Sequence, residues 1–477
     1  MTSDSNRKVE LVLLPGLGMG HLVPIVQFAQ RIVDHDRRFS ATILSIQVPG
    51  DSLVTAYAQS RATSSASLRF VDLPMVEPPS PDLFQTPIGF MSLFIQKLKP
   101  HVKHAITNLM STRSESDSVI LIIDTYCMTM IDVANELGIP CYLFFPSPAA
   151  FLGLMLHLPT LDQQITTEFH ESGTMLEVPT FANSVHPLVL PSVLLSRTQD
   201  GYSWYLYHGR RYKETKGIIL NTFQELEPFA LNSFLGTHDI PPVYPVGPLV
   251  DTCGLNRPDS DQSHQDKVLK WLDHHPQSSV VFFCFGSLAS ISGAQVREIA
   301  TGLERTGQRF LLSLRRPEAF ESRDYTDPDE VLPNGFLERT AEVGLICGWV
   351  PHATILAHKA IGGLVSHCGW NSFMESLWYG VPVATWPVFG EQKMIALELV
   401  RELGLAVEMR SPAYMDGGDL VLAEEVERGV KGLMDGDGEL RRKVKEINEK
   451  SRKVVMENGS SFVRMGELVE ELMKANI

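Results

Sequence analysis

Short apolar runs, each followed by a turn and then by a helical apolar period, constrain this chain more than any other feature. Val9–Leu14 is short and apolar and reads as a buried strand. A glycine-rich turn follows, after which Leu22, Val26, Ala29 and Val33 recur at helical spacing. Ser40–Val48, Val119–Ile123 and Cys141–Phe145 read as further strands. Such alternation predicts a parallel, doubly wound α/β sheet.

The rhythm is interrupted once. Residues 251–266 are polar, rich in Asp and Ser, and follow Pro241, Pro242, Pro245 and Pro248, which places an interdomain linker there. Beyond it Val280–Phe285, Phe310–Leu314, Leu345–Cys347, Leu364–Ser366 and Val383–Thr385 supply strands again. Ser292-Gly-Ala-Gln295 reads as a capping box opening a helix with Val296, Ile299, Ala300 and Leu303 on one face. Gly380 and Pro382 stop a helix begun near Ser372. From Gly438 onward two charged amphipathic helices are predicted, broken near Asn458-Gly459. A chain of 477 residues exceeds one core, so two Rossmann-like domains facing each other across a cleft are expected.

Net charge is −15, from 41 basic and 56 acidic residues, which argues against nucleic-acid or anionic-membrane partners. The start lacks an apolar segment of the secretory kind. Ile139–Leu161 carries no charge, but Pro146, Pro148, Gly153 and Pro159 break it, so a buried strand and the next helix are expected rather than a membrane span. The six cysteines show no C-x-x-C spacing and fit reduced, buried thiols in a cytoplasmic protein. Without secretion the sequon Asn458-Gly459-Ser460 has no use.

Pro15-Gly-Leu-Gly-Met-Gly-His21 joins the first strand to its helix. A dinucleotide fingerprint fails here: His21 occupies the third glycine position, and Ser45-Ile-Gln-Val48 offers no acidic residue at the second strand's end. His21 lies where doubly wound folds place their ligands, so it is either a general base or a packed helix-terminal histidine. Asp124, ending the Val119–Ile123 strand, faces the same crevice. It can fix a histidine tautomer and stabilise the imidazolium, or merely cap a helix.

The stretch Trp349–Gln392 carries the densest chemistry. Ser366-His-Cys-Gly-Trp-Asn-Ser372 follows a strand and opens a helix, an anion site to which His367, Asn371 and Ser372 add donors. Ser287, in Phe285-Gly286-Ser287, can reach the same phosphates. Trp349 offers a flat face to a base, Glu375 can accept from ribose hydroxyls, and Glu391-Gln392 can grip a sugar. Together these place a nucleotide, its phosphates and a sugar at three successive strand ends. Asp259-Ser-Asp261, Asp327-Pro-Asp329 and Asp435-Gly-Asp437 lie in polar loops or helix ends and read as turns rather than metal ligands. No metal is called for, because a helix terminus can meet the phosphate charge.

At this point the chain resembles a plant family 1 UDP-glycosyltransferase over essentially its full length. Trp349–Gln392 is similar to the plant secondary-product glycosyltransferase signature, and Gly18–His21, Ile123-Asp124 and Cys284–Ser287 match as well. The resemblance implies the GT-B fold, an inverting mechanism, and neither metal nor cofactor, with UDP-glucose as co-substrate. It implies an acceptor domain over 1–250, a UDP-sugar domain over 251–456, and a 457–477 helix packing back on the first. His21 then resembles the catalytic base and Asp124 its partner. Trp349 resembles the uracil-stacking residue, and Ser287, His367, Asn371 and Ser372 the diphosphate contacts. Glu375 resembles the ribose contact and Glu391 and Gln392 the sugar contacts. Gly20, Val350, His352, Gly369 and Trp370 complete the expected donor site, Trp370 and Gln392 in the pattern of UDP-glucose users. Two positions depart from the family: His352 stands where Gln is usual, near the ribose, and Ile395 where Asn is frequent.

The acceptor side is less legible. Gly18, Phe90, Tyr126, Phe145, Phe151, Met155, Leu190, Phe389 and Gly390 are its candidates, the apolar ones among them equally at home in a core. A small hydrophobic, hydroxylated flavonoid, phenolic or terpenoid would suit such a pocket. A monomer is expected. The competing expectations are another UDP-sugar donor, or a catalytically silent UDP-sugar binder.

Overall fold

The computed structural model describes residues 8–48, 52–64, 68–114, 117–252, 262–286, 291–314, 330–411, 420–435 and 438–475, with backbone alone at 52, 53, 62–64 and 262. Contacts divide the chain into two compact units. The first comprises Met1–Val185, Ser192–Val250 and Lys453–Ile477; the second comprises His186–Pro191 and Asp251–Arg452.

The first unit is built on seven parallel strands: β1 Val9–Leu14, β2 Phe39–Ser45, β3 Leu68–Asp72, β4 Ser118–Asp124, β5 Cys141–Phe145, β6 Ile218–Leu220 and β7 Val243–Pro245. Their order is β3-β2-β1-β4-β5-β6-β7. The order reverses between β1 and β4, and a doubly wound sheet opens a crevice at such a point. Helix Met19–His35 buries Leu22, Val26, Ala29 and Val33, as their spacing predicts. The C-terminal helix Ser460–Lys474 belongs to this unit; its Ser461 hydroxyl donates to the Gly247 carbonyl at 2.5 Å.

Three local expectations change. β2 stops at Ser45 rather than Val48, because its neighbour β3 ends in register at Asp72 and offers no further partner. β3, β6 and β7 gave no sequence signal: two have only three residues, and Pro245 occupies an edge strand where its missing N–H costs nothing. The apolar run of β1 also contains a charge. Glu10 is fully buried, held by the hydroxyls of Ser40 and Thr42 and by the Arg113 guanidinium. Ile139–Leu161 resolves into β5 and the helix Ala149–Gln164. Among the described residues no helix is long and apolar enough to cross a membrane.

The second unit repeats the plan with β8 Val280–Cys284, β9 Arg309–Ser313, β10 Gly344–Cys347, β11 Ile361–Ser366, β12 Val383–Thr385 and β13 Ala406–Glu408, ordered β10-β9-β8-β11-β12-β13. All pairs are parallel, and the reversal falls between β8 and β11. Val281, Phe283, Phe310, Leu312, Val365 and Ala384 from the strands pack with Val296, Ile299 and Leu303 of the helix Gly293–Thr306. Ser292 caps that helix by accepting from Gln295 N–H, yet no capping box closes. The Gln295 amide instead pairs with both backbone groups of Val421, at 2.8 Å each. Asp259, Asp261, Asp327, Asp329 and Asp437 lie outside the described residues, as does most of the expected linker.

Candidate active site

In the first unit the chemistry gathers at the reversal point. β1 and β4 run side by side with Leu14 opposite Ile123, so Asp124 stands one residue past the end of β1. Gly18, with φ of 88°, ends the loop and caps the helix Met19–His35. That brings His21 back over the strand ends. Its Nδ1 lies 2.9 Å from Asp124 Oδ1 and 3.0 Å from Oδ2. Asp124 is fully buried, whereas the His21 side chain keeps 22% of its surface exposed. A buried carboxylate on Nδ1 holds the proton there, so Nε2 is left basic. The two side chains are thus paired in space.

Two supporting residues escaped the sequence. A Cβ added at Gly16 would stand 2.6 Å from Asp124 Oδ1 and 3.1 Å from His21 Cγ, so the first glycine of the loop makes room for the pair. Its signal was present in the motif but was masked by the other glycines. His208, the second, packs against Tyr126. Tyr126 meets the His21 ring edge-on, centroids 5.5 Å apart. Tyr126 also meets His208, centroids 5.8 Å apart, and His208 is itself bonded through Nε2 to the Ser92 hydroxyl at 2.9 Å. Burial pushes the pKa of His208 down to about 3, so the ring is neutral.

The acceptor candidates separate. Phe90 is half-buried on the helix Pro87–Lys97, in a row with Phe84 and Phe94. Gly18 borders a small cavity with Leu22, Ser45 and Val54. Phe145, Phe151 and Met155 are enclosed, with Phe145 packed on Phe151 and Tyr212, which is the packing of a core. Leu190 falls in the His186–Pro191 segment of the second unit. Phe389 and Gly390 lie in that unit too, Phe389 exposed and Gly390 at φ 63°. Gly20 is exposed in the first turn of its helix.

In the second unit the described donor candidates follow β10, β11 and β12, at the carboxyl end of one sheet. Gly369 caps the helix Trp370–Tyr379, whose first-turn amides carry the positive end of the dipole. Asn371 and Ser372 are half-buried in that turn; Trp370 is buried against Phe373. Cys368 adopts φ 65°, a left-handed conformation that a non-glycine residue holds only where its surroundings enforce it. The Ser366 hydroxyl accepts from Cys368 N–H at 3.2 Å. Gly286, at φ 78°, brings the β8 end against His367: a Cβ there would stand 2.7 Å from its ring. Ser287 lies outside the described residues.

His367 Nδ1 is buried with no hydrogen-bond partner among the described residues. Burial, then the neighbouring His352, push the His367 pKa down to about 4, against an upward pull from a hydrogen bond to the Cys284 backbone. An unpaired polar atom is costly in an interior, and a phosphate would supply both a partner and a charge favouring the imidazolium. Trp349 is half-buried beyond β10, where Ser313 holds the Gly348 carbonyl at 2.9 Å; Val350 is buried beside it. His352 Nδ1 hydrogen-bonds Glu375 Oε2. Glu391 caps the helix Gln392–Leu397. The Gln392 oxygen accepts from Val388 N–H at 2.9 Å and Phe389 N–H at 3.0 Å.

Comparisons with known proteins agree with this geometry. A family model described as UDP-glucoronosyl and UDP-glucosyl transferase matches residues 237–425. UDP-glycosyltransferase 43 of Pueraria montana var. lobata is 49% identical over 98% of this chain and 99% of its own. The chain belongs to the plant UDP-glycosyltransferases. UDP-glucose flavonoid 3-O-glucosyltransferase 6 of Fragaria ananassa is 44% identical to this glycosyltransferase over 97% of the chain and 98% of its own. Among solved structures, Medicago truncatula UGT71G1 complexed with UDP-glucose superposes with a TM-score of 0.90 at 40% identity, covering 99% of this chain and 100% of that one. A Siraitia grosvenorii glycosyltransferase in complex with UDP gives 0.85 at 41% identity, over 98% and 100%. The glycosyltransferase thus has the GT-B fold, with its two Rossmann-like units.

Proposed function

We propose that this glycosyltransferase is an inverting, metal-independent O-glucosyltransferase that moves glucose from UDP-glucose to hydroxyls of small plant secondary metabolites. The His21–Asp124 pair carries the reading. His21 Nε2 takes the acceptor's proton as the acceptor oxygen attacks the anomeric carbon from the face opposite UDP. The bond to the diphosphate oxygen breaks, its electron pair leaves with UDP, and a β-glucoside forms. Asp124 stabilises the imidazolium. General-base help of this kind is worth ~10²–10⁴-fold.

On the donor side, the N-terminus of helix Trp370–Tyr379 and His367 meet the charge that grows on the departing diphosphate. That is why no metal is required of the protein. Trp349 stacks on uracil, Glu375 accepts from ribose, and Glu391 and Gln392 bind glucose. Trp370 is buried against Phe373 and acts by packing the helix start. The half-buried Phe90, between Phe84 and Phe94, suits a flat aromatic acceptor. The flavonoid and UDP-glucose in the name of the Fragaria ananassa relative, and the UDP-glucose held by the Medicago structure, support that choice of partners.

Mass spectrometry of products from UDP-glucose, UDP-galactose and UDP-xylose crossed with a phenol, flavonol and terpenol panel tests the proposal. Hexosylated product from UDP-glucose, undiminished by EDTA, is expected. UDP binding without UDP release across the panel would instead favour a silent binder.

A further inference from the structure

His352 and Glu375 come from different elements. His352 opens the short helix His352–Leu356 after β10, and Glu375 stands in the middle of Trp370–Tyr379. Their side chains are nearly enclosed, at 17% and 18% exposure, and join through Nδ1 and Oε2. The imidazole is backed by the Phe282 ring of β8, centroids 5.8 Å apart. A glutamate has three side-chain torsions and no fixed aim of its own, whereas a histidine wedged against a ring has little freedom. One carboxylate oxygen is thus tied to a rigid donor, which fixes the orientation of the whole carboxylate.

We infer that His352 is a positioning residue: it aims the Glu375 carboxylate at the ribose diol of the nucleotide and does not itself read the sugar. The inference rests on the donor-site reading above and deepens it. Because Nδ1–H is spent on Glu375, the recognition of ribose passes through the carboxylate. Removing the histidine then costs ribose recognition specifically, leaving stacking, phosphate binding and turnover in place.

Calorimetric affinities for UDP, 2′-deoxy-UDP and 3′-deoxy-UDP test this without requiring catalysis. The wild type should bind UDP more tightly than at least one deoxy analogue. His352→Phe, which keeps a ring but has no donor, should weaken UDP about tenfold, the scale of a lost charged hydrogen bond, and bind UDP and that analogue alike. His352→Asn, whose amide nitrogen can reach the place of Nδ1, should recover most of the affinity and the discrimination. In turnover, His352→Phe should raise the KM for UDP-glucose with kcat within about twofold. Equal affinities for the Phe and Asn variants, or discrimination retained in His352→Phe, would overturn the inference. Tight UDP binding without turnover would sink the function proposal alone; no UDP binding by the wild type would sink both.

Discussion

His21 and Asp124 are 103 residues apart in sequence and 2.9 Å apart in space, because β1 and β4 are neighbours where the strand order reverses. The sheet, rather than any local motif, assembles the pair.

This relationship predicts how the two side chains fail. His21→Ala should lower kcat by ~10²–10⁴-fold for alkyl alcohols and far less for acidic phenols, which ionise without help. Asp124→Asn leaves the shape but hydrogen-bonds the wrong tautomer, so its loss should approach that of His21→Ala. UDP release across acceptors of graded acidity measures both. Full turnover of His21→Ala with an alkyl alcohol would remove the base assignment.

Tyr126 should matter as a ring more than as a phenol. Its hydroxyl meets the Tyr205 hydroxyl at a long 3.5 Å, while its ring abuts His21. Tyr126→Phe should keep kcat within about threefold, and Tyr126→Ala should cost at least tenfold, in line with an aromatic contact worth ~0.5–1.5 kcal/mol plus lost packing. The KM for UDP-glucose should not move. Steady-state kinetics on both substrates decides it.

The two close-approach glycines predict opposite defects. Gly16→Ala pushes a methyl towards Asp124 and His21 and should depress kcat with donor binding intact. Gly286→Ala crowds His367 and forces a left-handed conformation on alanine, at about 1 kcal/mol or more of strain. It should raise the KM for UDP-glucose and weaken UDP in calorimetry. Matching kcat and KM profiles for the two variants would contradict this division.

Acid should destabilise the fold before it protonates its two most deeply buried histidines. Burial pushes the pKa values of His208 and His367 down to about 3 and about 4 in the folded chain, from about 6.5 for an ordinary imidazole. As pH falls below 6.5, the unfolded chain takes up protons that the native state refuses. Each histidine therefore removes up to about 1.4 kcal/mol of stability per pH unit, until its own folded value is reached. Denaturant midpoints between pH 7 and pH 4 should fall, and His208→Gln should flatten the slope.

Much of the fold was legible because both sheets are buried on two faces, which makes their long strands continuous apolar runs. Cys141–Phe145 and Val383–Thr385 match their predicted bounds. β7 and β13, three residues each at a sheet edge, were silent because an edge needs backbone partners more than side-chain pattern, and Glu10 hid inside an apolar run because its partners lie on β2 and just ahead of β4. At the site, residue types announced His21, Asp124 and the Trp349–Gln392 stretch. Pairings were not announced. Gln295 with Val421, Gln392 with its own loop, and His352 with Glu375 depend on which groups the fold brings within reach. The acceptor side was the least readable, since Phe145 in a core and Phe90 half-exposed look the same in one dimension.

The buried thiols give each half of the chemistry its own clock. Cys127 lies under the His21 loop, its Sγ 3.7 Å from the Pro15 carbonyl, and Cys368 forms the turn before helix Trp370–Tyr379. Burial pushes both thiols well above their ordinary range, so neither alkylates while its surroundings stay shut. Labelling at each then proceeds only as fast as that neighbourhood opens. Mapping adduct formation by mass spectrometry, with and without UDP, would time the breathing of the proton-transfer side and of the nucleotide side separately, from two reporters the protein already carries.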